Sequence, residues 1–339
     1  MEGCRRGKCQ LMGLERVKLL LAPLAGFTNA AFRRVCARRG ADLAYTEMVS
    51  AAGLFHGSSP TRQLLAILPG EGPVACQLFG SKPEELSYAA KLVDGMHRFV
   101  ELNLNAGCPM PKIMREGDGA ELLKSPQKVY DCLVAMKRET SLPVTLKTRP
   151  GPRPDQVLLF ELLDAAQTAG AAGFILHSRF TSQMHGGEVH LELLAECVRR
   201  AQIPVTGNGS VYNLPTATAM AATGVNAIMM GRAAMANPWI FGDLRSDEPA
   251  EVLEAPERRL LLQEAAFREH LDSLLELRGL LAAEFPQDHI ASPDGFVNMA
   301  LHTHLFRYFN GRPGAAQLRH RLSEIRTLAE VQGLLEEFS

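Results

Sequence analysis

The sequence predicts a (β/α)8 TIM barrel followed by a small C-terminal helical bundle, and three observations lead there. Between positions 18 and 230, short apolar runs alternate with longer amphipathic stretches, the pattern of repeated βα units around a parallel sheet. Several of these runs are too apolar for half-exposed antiparallel strands, so both of their faces must be buried. The chain has 339 residues. A closed barrel takes about 250, which leaves room for a second module. An open doubly wound sheet is the alternative, but no G-x-G-x-x-G follows an early strand.

Eight strands can be read in order: KLLLAP, LAYTE, VACQLF, FVELNLN, PVTLKT, GFILHS, IPVTGN and NAIMMGR. Between them lie PEELSYAAKLVDGMHR from Pro83 and PDQVLLFELLDAAQTAG from Pro154, which have helical periodicity and a proline near the start. Gly170, Gly173 and Gly224 stand where helices end and strands begin. After Phe241 the rhythm stops at an acidic, proline-containing linker, DLRSDEPAEVLEAPE, and helical periodicity takes over. The organisation expected is a tail over residues 1–17, a barrel over 18–245 and a helical domain over 256–339.

With 46% hydrophobic and 22% charged residues, the composition is that of a folded globular protein. A net charge of -1 predicts no polyanion partner by itself, so any nucleic-acid surface must come from local clustering. Seven cysteines without a C-x-x-C pair predict neither a disulfide framework nor a zinc site, and a reducing cytoplasm fits them. Cys4 and Cys9 are read as part of a loose tail, and Cys36, Cys76, Cys132 and Cys197 as core fillers. No metal, signal peptide or membrane span is expected. Oligomeric state is not legible.

In such barrels the catalytic face is built from the C-terminal ends of the strands. Gln77, Asn103, Asn105, Lys147, His177 and Asn208 each end an otherwise apolar strand, so a ring of polar groups should converge there. Strands seven and eight run into Gly207-Asn208-Gly209-Ser210 and Met230-Gly231-Arg232, loops suited to a phosphate because glycine lets backbone N–H groups approach an anion. Lys147 could face the N1 and O2 edge of an isoalloxazine, or form a Schiff base in an aldolase-like barrel. Cys108, between Gly107 and Pro109, is either an aimed general acid or a structural cysteine.

Taken as a set, the motifs resemble the tRNA-dihydrouridine synthase family. LAPLAGFTNAAFR is similar to its opening A-P-M-A-G-x-T-D-x-x-F-R; QLFGSKPEEL, LNLNAGCP, GDGAELLKSP, LPVTLKTRPG, HSRFTSQ, IPVTGNGS and TGVNAIMMGRAAMANPWIF follow in the family's order. The resemblance implies FMN lined by Pro23, Leu24 and Ala25, with Gln77, Lys147 and His177 at its ring. It implies that Asn208, Gly209, Ser210, Gly231 and Arg232 hold the phosphate. Asn103, Asn105 and Arg179 are assigned to the substrate side. Cys108 falls on the family's proton-donating cysteine. The activity implied is reduction of a tRNA uridine, with hydride delivered to C6, a proton from Cys108 to C5, and NADPH as reductant. Three positions depart from the family: Ser210 replaces an acidic residue, Ser178 a glycine, and Phe180 stands where threonine is common.

For the tRNA surface, Arg307, Arg312, Arg319 and Arg326 lie in a stretch whose only acidic residue is Glu324. Leu318, Leu322 and Ile325 at helical spacing should face a core, leaving Arg319 and Arg326 on another face of the same helix, either to meet phosphate or simply as a solvated surface. The alternative function is an FMN barrel reducing a small molecule, of dihydroorotate or enoate reductase type.

Overall fold

The computed structural model describes residues 13–312 and 314–336, so Cys4 and Cys9 lie outside the described residues. The strands are β1 (Lys18–Leu21), β2 (Leu43–Tyr45), β3 (Val49–Ser50), β4 (Val74–Phe79), β5 (Glu101–Ala106), β6 (Val144–Thr148), β7 (Gly173–His177), β8 (Val205–Asn208) and β9 (Ala227–Met230). All are parallel. Each pairs with its sequence neighbour from β4 to β9, β9 pairs with β1, and β1 and β4 both pair with β2, closing the barrel.

The second of the eight expected strands is broken in two. β2 carries the pairing Ala44 with Val74 and β3 the pairing Val49 with Leu78. At the break the Thr46 hydroxyl accepts from the Gln77 N–H at 3.0 Å, replacing a lost ladder bond.

Helices cover the barrel as the periodicity predicts, and several have side-chain caps. Asn29 accepts from Phe32 at the start of α1 (Ala30–Ala37), and Pro83 opens α2 (Pro83–Asp94). Ser125 caps α3 (Pro126–Arg138). The helix predicted from Pro154 begins only at Leu159, as α4 (Leu159–Thr168), because Arg153 and Gln156 pair in a short bridge first. α5 (Leu191–Arg200), α6 (Leu214–Ala221) and the short α7 (Arg232–Ala236) complete the circuit. Gly170 and Gly224 take the positive φ of helix ends, whereas Gly173 is the first residue of β7.

The expected tail proves partly structural: Leu14 and Val17 are buried in the barrel core. The C-terminal region comprises α8 (Pro256–Glu284), α9 (Pro293–Thr303), α10 (Ala315–Glu324) and α11 (Leu328–Glu336). It shares one apolar cluster with the barrel, in which Phe267, Leu271, Leu274 and Tyr308 pack with Ala30, Ala31, Leu68 and Trp239. Polar contacts reinforce the junction, with Arg34 pairing Glu276 at 2.6 Å and donating to Ser273 at 3.0 Å.

Candidate active site

At the C-terminal ends of the strands a cavity of about 590 Å³ opens, well within the range of small-ligand sites. Among the residues predicted from sequence, it brings together Pro23, Leu24, Ala25, Gln77, Asn105, Cys108, Lys147, His177, Asn208, Gly209, Ser210, Gly231, Arg232 and Arg307.

Lys147, Arg149, Arg232 and Arg307 line this cavity, and no carboxylate does. Burial, and then the Arg149 charge, pushes the Lys147 ammonium down to about 7. Burial, with the Arg179 and Arg232 charges, holds Arg149 down to about 10, and burial, with the Lys147 and Arg149 charges, lowers the His177 imidazole well below its ordinary value. A site with uncompensated cations favours an anionic ligand.

At one end, the loops after β8 and β9 form a cradle. Gly209 sits at φ +125°, and a Cβ there would come within 2.9 Å of Val189 and 3.1 Å of the His177 ring. Ser210, also at positive φ, accepts from Arg179 at 2.6 Å, and Arg232 reaches the Tyr212 hydroxyl at 3.5 Å.

At the other end stands Cys108, in the loop leaving β5. The Asn105 side-chain oxygen Oδ1 accepts from the N–H groups of Gly107 and Cys108, both at 3.0 Å, while Arg149 Nε donates to Gly107 O at 2.8 Å. Asn105 is itself held by a chain of side chains running down the barrel axis. It donates to Gln77 at 2.8 Å, Gln77 to Asn103 at 2.6 Å, and Asn103 to Thr145 at 2.7 Å. The chain ends where Thr145 and Tyr45 both donate to Glu101, at 2.5 and 2.7 Å. Burial raises the Cys108 pKa despite the nearby Lys147 and Arg149 charges, so the group at neutral pH is a thiol with a proton to give.

Several assignments need correction. Asn103 does not line the cavity; it is fully buried one layer below, between Gln77 and Thr145. Arg179 is a strut, donating to the carbonyls of Gly186 and Gly187 and to Ser210. Ser178 and Phe180 are buried behind the wall, and the lining residue from that segment is His185. Arg312, Arg319 and Arg326, read from sequence as a tRNA surface and not as cavity residues, lie outside the cavity wall. The single helix expected to carry Arg319 and Arg326 ends at Glu324, where Ile325 turns extended, so they share no helical face. Arg326 instead donates to the carbonyls of Ser323 and Ile325, covering that helix end.

Sequence reasoning missed Arg149, Phe27, Met110, Tyr212, His185 and Asn310. Arg149 had a signal: it lies two residues past Lys147, and side chains two apart on extended backbone point the same way. The others lie outside the strands, in segments whose approach to the cavity no periodicity reports.

A closed parallel barrel whose strand ends join glycine loops, a cation-lined cavity and a half-buried thiol has the layout of a (β/α)8-barrel enzyme. The sequence profile of the dihydrouridine synthase (Dus) family matches residues 20–339. A probable tRNA-dihydrouridine synthase of Treponema pallidum is 34% identical over 67% of this chain and 70% of its own length. One from Aquifex aeolicus is 27% identical over 96% and 97%, and tRNA-dihydrouridine synthase B of Shewanella oneidensis is 29% identical over 95% of both. This chain belongs to the dihydrouridine synthase family.

Proposed function

We infer that the protein is a tRNA-dihydrouridine synthase, an oxidoreductase that saturates the C5–C6 bond of uridines in tRNA. The observation that carries this is the Cys108 thiol, protonated and anchored on both sides of its peptide, in a cavity walled by cations and glycine loops. Reduction adds a hydride at C6 and a proton at C5. Cys108 gives the proton, and the thiolate left behind is stabilised by Lys147 and Arg149 until water reprotonates it.

The residues fit FMN. Gly209 and Gly231 line the cavity without side chains, so their backbone would be open to a phosphate that Asn208, Ser210 and Arg232 would hold, and Pro23, Leu24, Ala25, Gln77, Lys147 and His177 would wall the ring. When bound, the flavin supplies the hydride. NADPH is the proposed source of those electrons, using the same face before tRNA arrives.

The helical region 256–339 is proposed to carry tRNA contacts, with Arg307 at the cavity itself. That placement disfavours the small-molecule reading, since Arg307 and Asn310 make the helical region part of the substrate wall. Among the described residues no helix is long and apolar enough to cross a membrane, and no His, Cys, Asp or Glu cluster could hold a metal. The five described cysteines are free, which supports a cytoplasmic location.

The test is direct. The chromophore released by denaturation is identified, and tRNA lacking dihydrouridine is incubated with protein and NADPH and then digested for mass spectrometry. Release of FMN and a nucleoside heavier by two hydrogens are expected; an unmodified tRNA with a flavin-loaded protein overturns the assignment.

A further inference from the structure

The G-D-G-A stretch at positions 117–120 lies outside the cavity wall, yet it closes on the reactive thiol. The chain leaves Cys108 through Pro109 and Met110, makes the short helix Pro111–Arg115, and returns so that the Ala120 N–H donates to Cys108 O at 2.9 Å. Segment 108–120 is therefore a loop whose two ends meet, a form common at functional sites. Past the return point, Leu122 and Leu123 are buried in the barrel core and tie the closure to the scaffold.

Gly119 makes that closure possible. It sits at φ +59°, and a Cβ there would fall 2.8 Å from Cys108 O, 3.1 Å from Cys108 Cβ and 3.0 Å from Ile113 Cγ2. The first of these is a backbone atom and cannot swing aside. The Cys108 N–H is already held by Asn105 and the preceding carbonyl by Arg149. With the Ala120 bond added, the peptide units on both sides of Cys108 are anchored, and one torsion, χ1, sets the direction of the thiol.

We propose that Gly119 and Ala120 are positioning residues that seat the Cys108 thiol and keep it shielded. The inference rests on Cys108 being the proton donor. Aim matters because a displacement of about 1 Å costs roughly 10²-fold in rate.

The test is Gly119→Ala in the flavin-loaded protein. Its tRNA reduction should fall about 10- to 100-fold while NADPH-driven flavin reduction and flavin content are kept. Alkylation of the Cys108 peptide by iodoacetamide, followed by mass spectrometry, should accelerate at least about threefold as the thiol loses the burial that raises its pKa. Either readout unmoved overturns the proposal. If the variant does not fold, hydrogen exchange on the wild-type protein decides: a protected Ala120 amide supports the seat and an unprotected one overturns it. Should Cys108→Ala still reduce tRNA normally, the proton-donor reading fails, whereas the alkylation shift still reports on the seat.

Discussion

The side-chain oxygen of Asn105 holds the backbone N–H of Cys108 at 3.0 Å, so a strand residue fixes the loop that carries the acid. Cys108→Ala should leave flavin reduction by NADPH nearly intact and slow tRNA reduction by about 10²- to 10⁴-fold, the range for losing a positioned acid. Asn105→Leu keeps the thiol but removes its anchor and should show a smaller loss in the same half-reaction. Stopped-flow measurement of the two half-reactions checks both, and equal losses in both halves would mean that the cysteine is structural.

Lys147 is held down to about 7, mainly by burial, against 10.5 for an exposed lysine. Between those values the unfolded chain binds the proton that the fold refuses. The penalty therefore grows as pH falls through this window and is complete below it. Lys147→Met should raise the melting temperature of the flavin-free protein at pH 6.5, with a smaller gain at pH 9.5. A pH-independent gain contradicts the charge argument.

Gly209 has no room for a side chain, since a Cβ would press on Val189 and on the His177 ring. Gly209→Ala should lower FMN affinity at least about tenfold, because φ of +125° strains any L residue and the methyl displaces the cavity wall. Fluorescence titration of the flavin-free protein measures this, and wild-type affinity would remove Gly209 from the cradle.

Arg307 lines the cavity and lies over the Phe27 ring, whereas Arg326 is spent on the end of α10. Arg307→Ala should weaken tRNA binding and reduce its salt slope by about one. Arg326→Ala should leave that slope unchanged and lower stability by about 0.5–1.5 kcal/mol through the lost hydrogen bonds. Filter binding across a salt series separates them; the opposite pattern moves the tRNA contact from Arg307 at the cavity to the end of α10.

Arg33 and Glu71 form an almost fully buried pair at 2.7 Å; Arg33 also donates to the carbonyls of Thr28 and Ala66, and Glu71 accepts from the Leu68 N–H. Glu71→Ala strands the guanidinium and should cost about 3–5 kcal/mol. Chemical denaturation of the flavin-free protein reads this directly, and a cost below 1 kcal/mol would show that water replaces the carboxylate.

What the sequence determined alone was the barrel, its strand-end polar ring and the glycine loops, because all three are written in local signals. Apolar runs bounded by turn residues fall at the spacing of βα units, and glycine permits the positive φ taken at Gly170, Gly209 and Gly224. Depth and direction needed the tertiary structure. Asn103 and Asn105 are two apart on β5 and point the same way, yet one meets the cavity and the other lies beneath Gln77, since height along the barrel axis depends on neighbouring strands. Leu318, Leu322 and Ile325 are all buried as periodicity requires, but the helix ends before Ile325, so the arginine beside it turns back on its own chain. Nor could periodicity reveal that Ala120, twelve residues on, returns to hold Cys108, because loop closure is a contact between segments and leaves no local repeat.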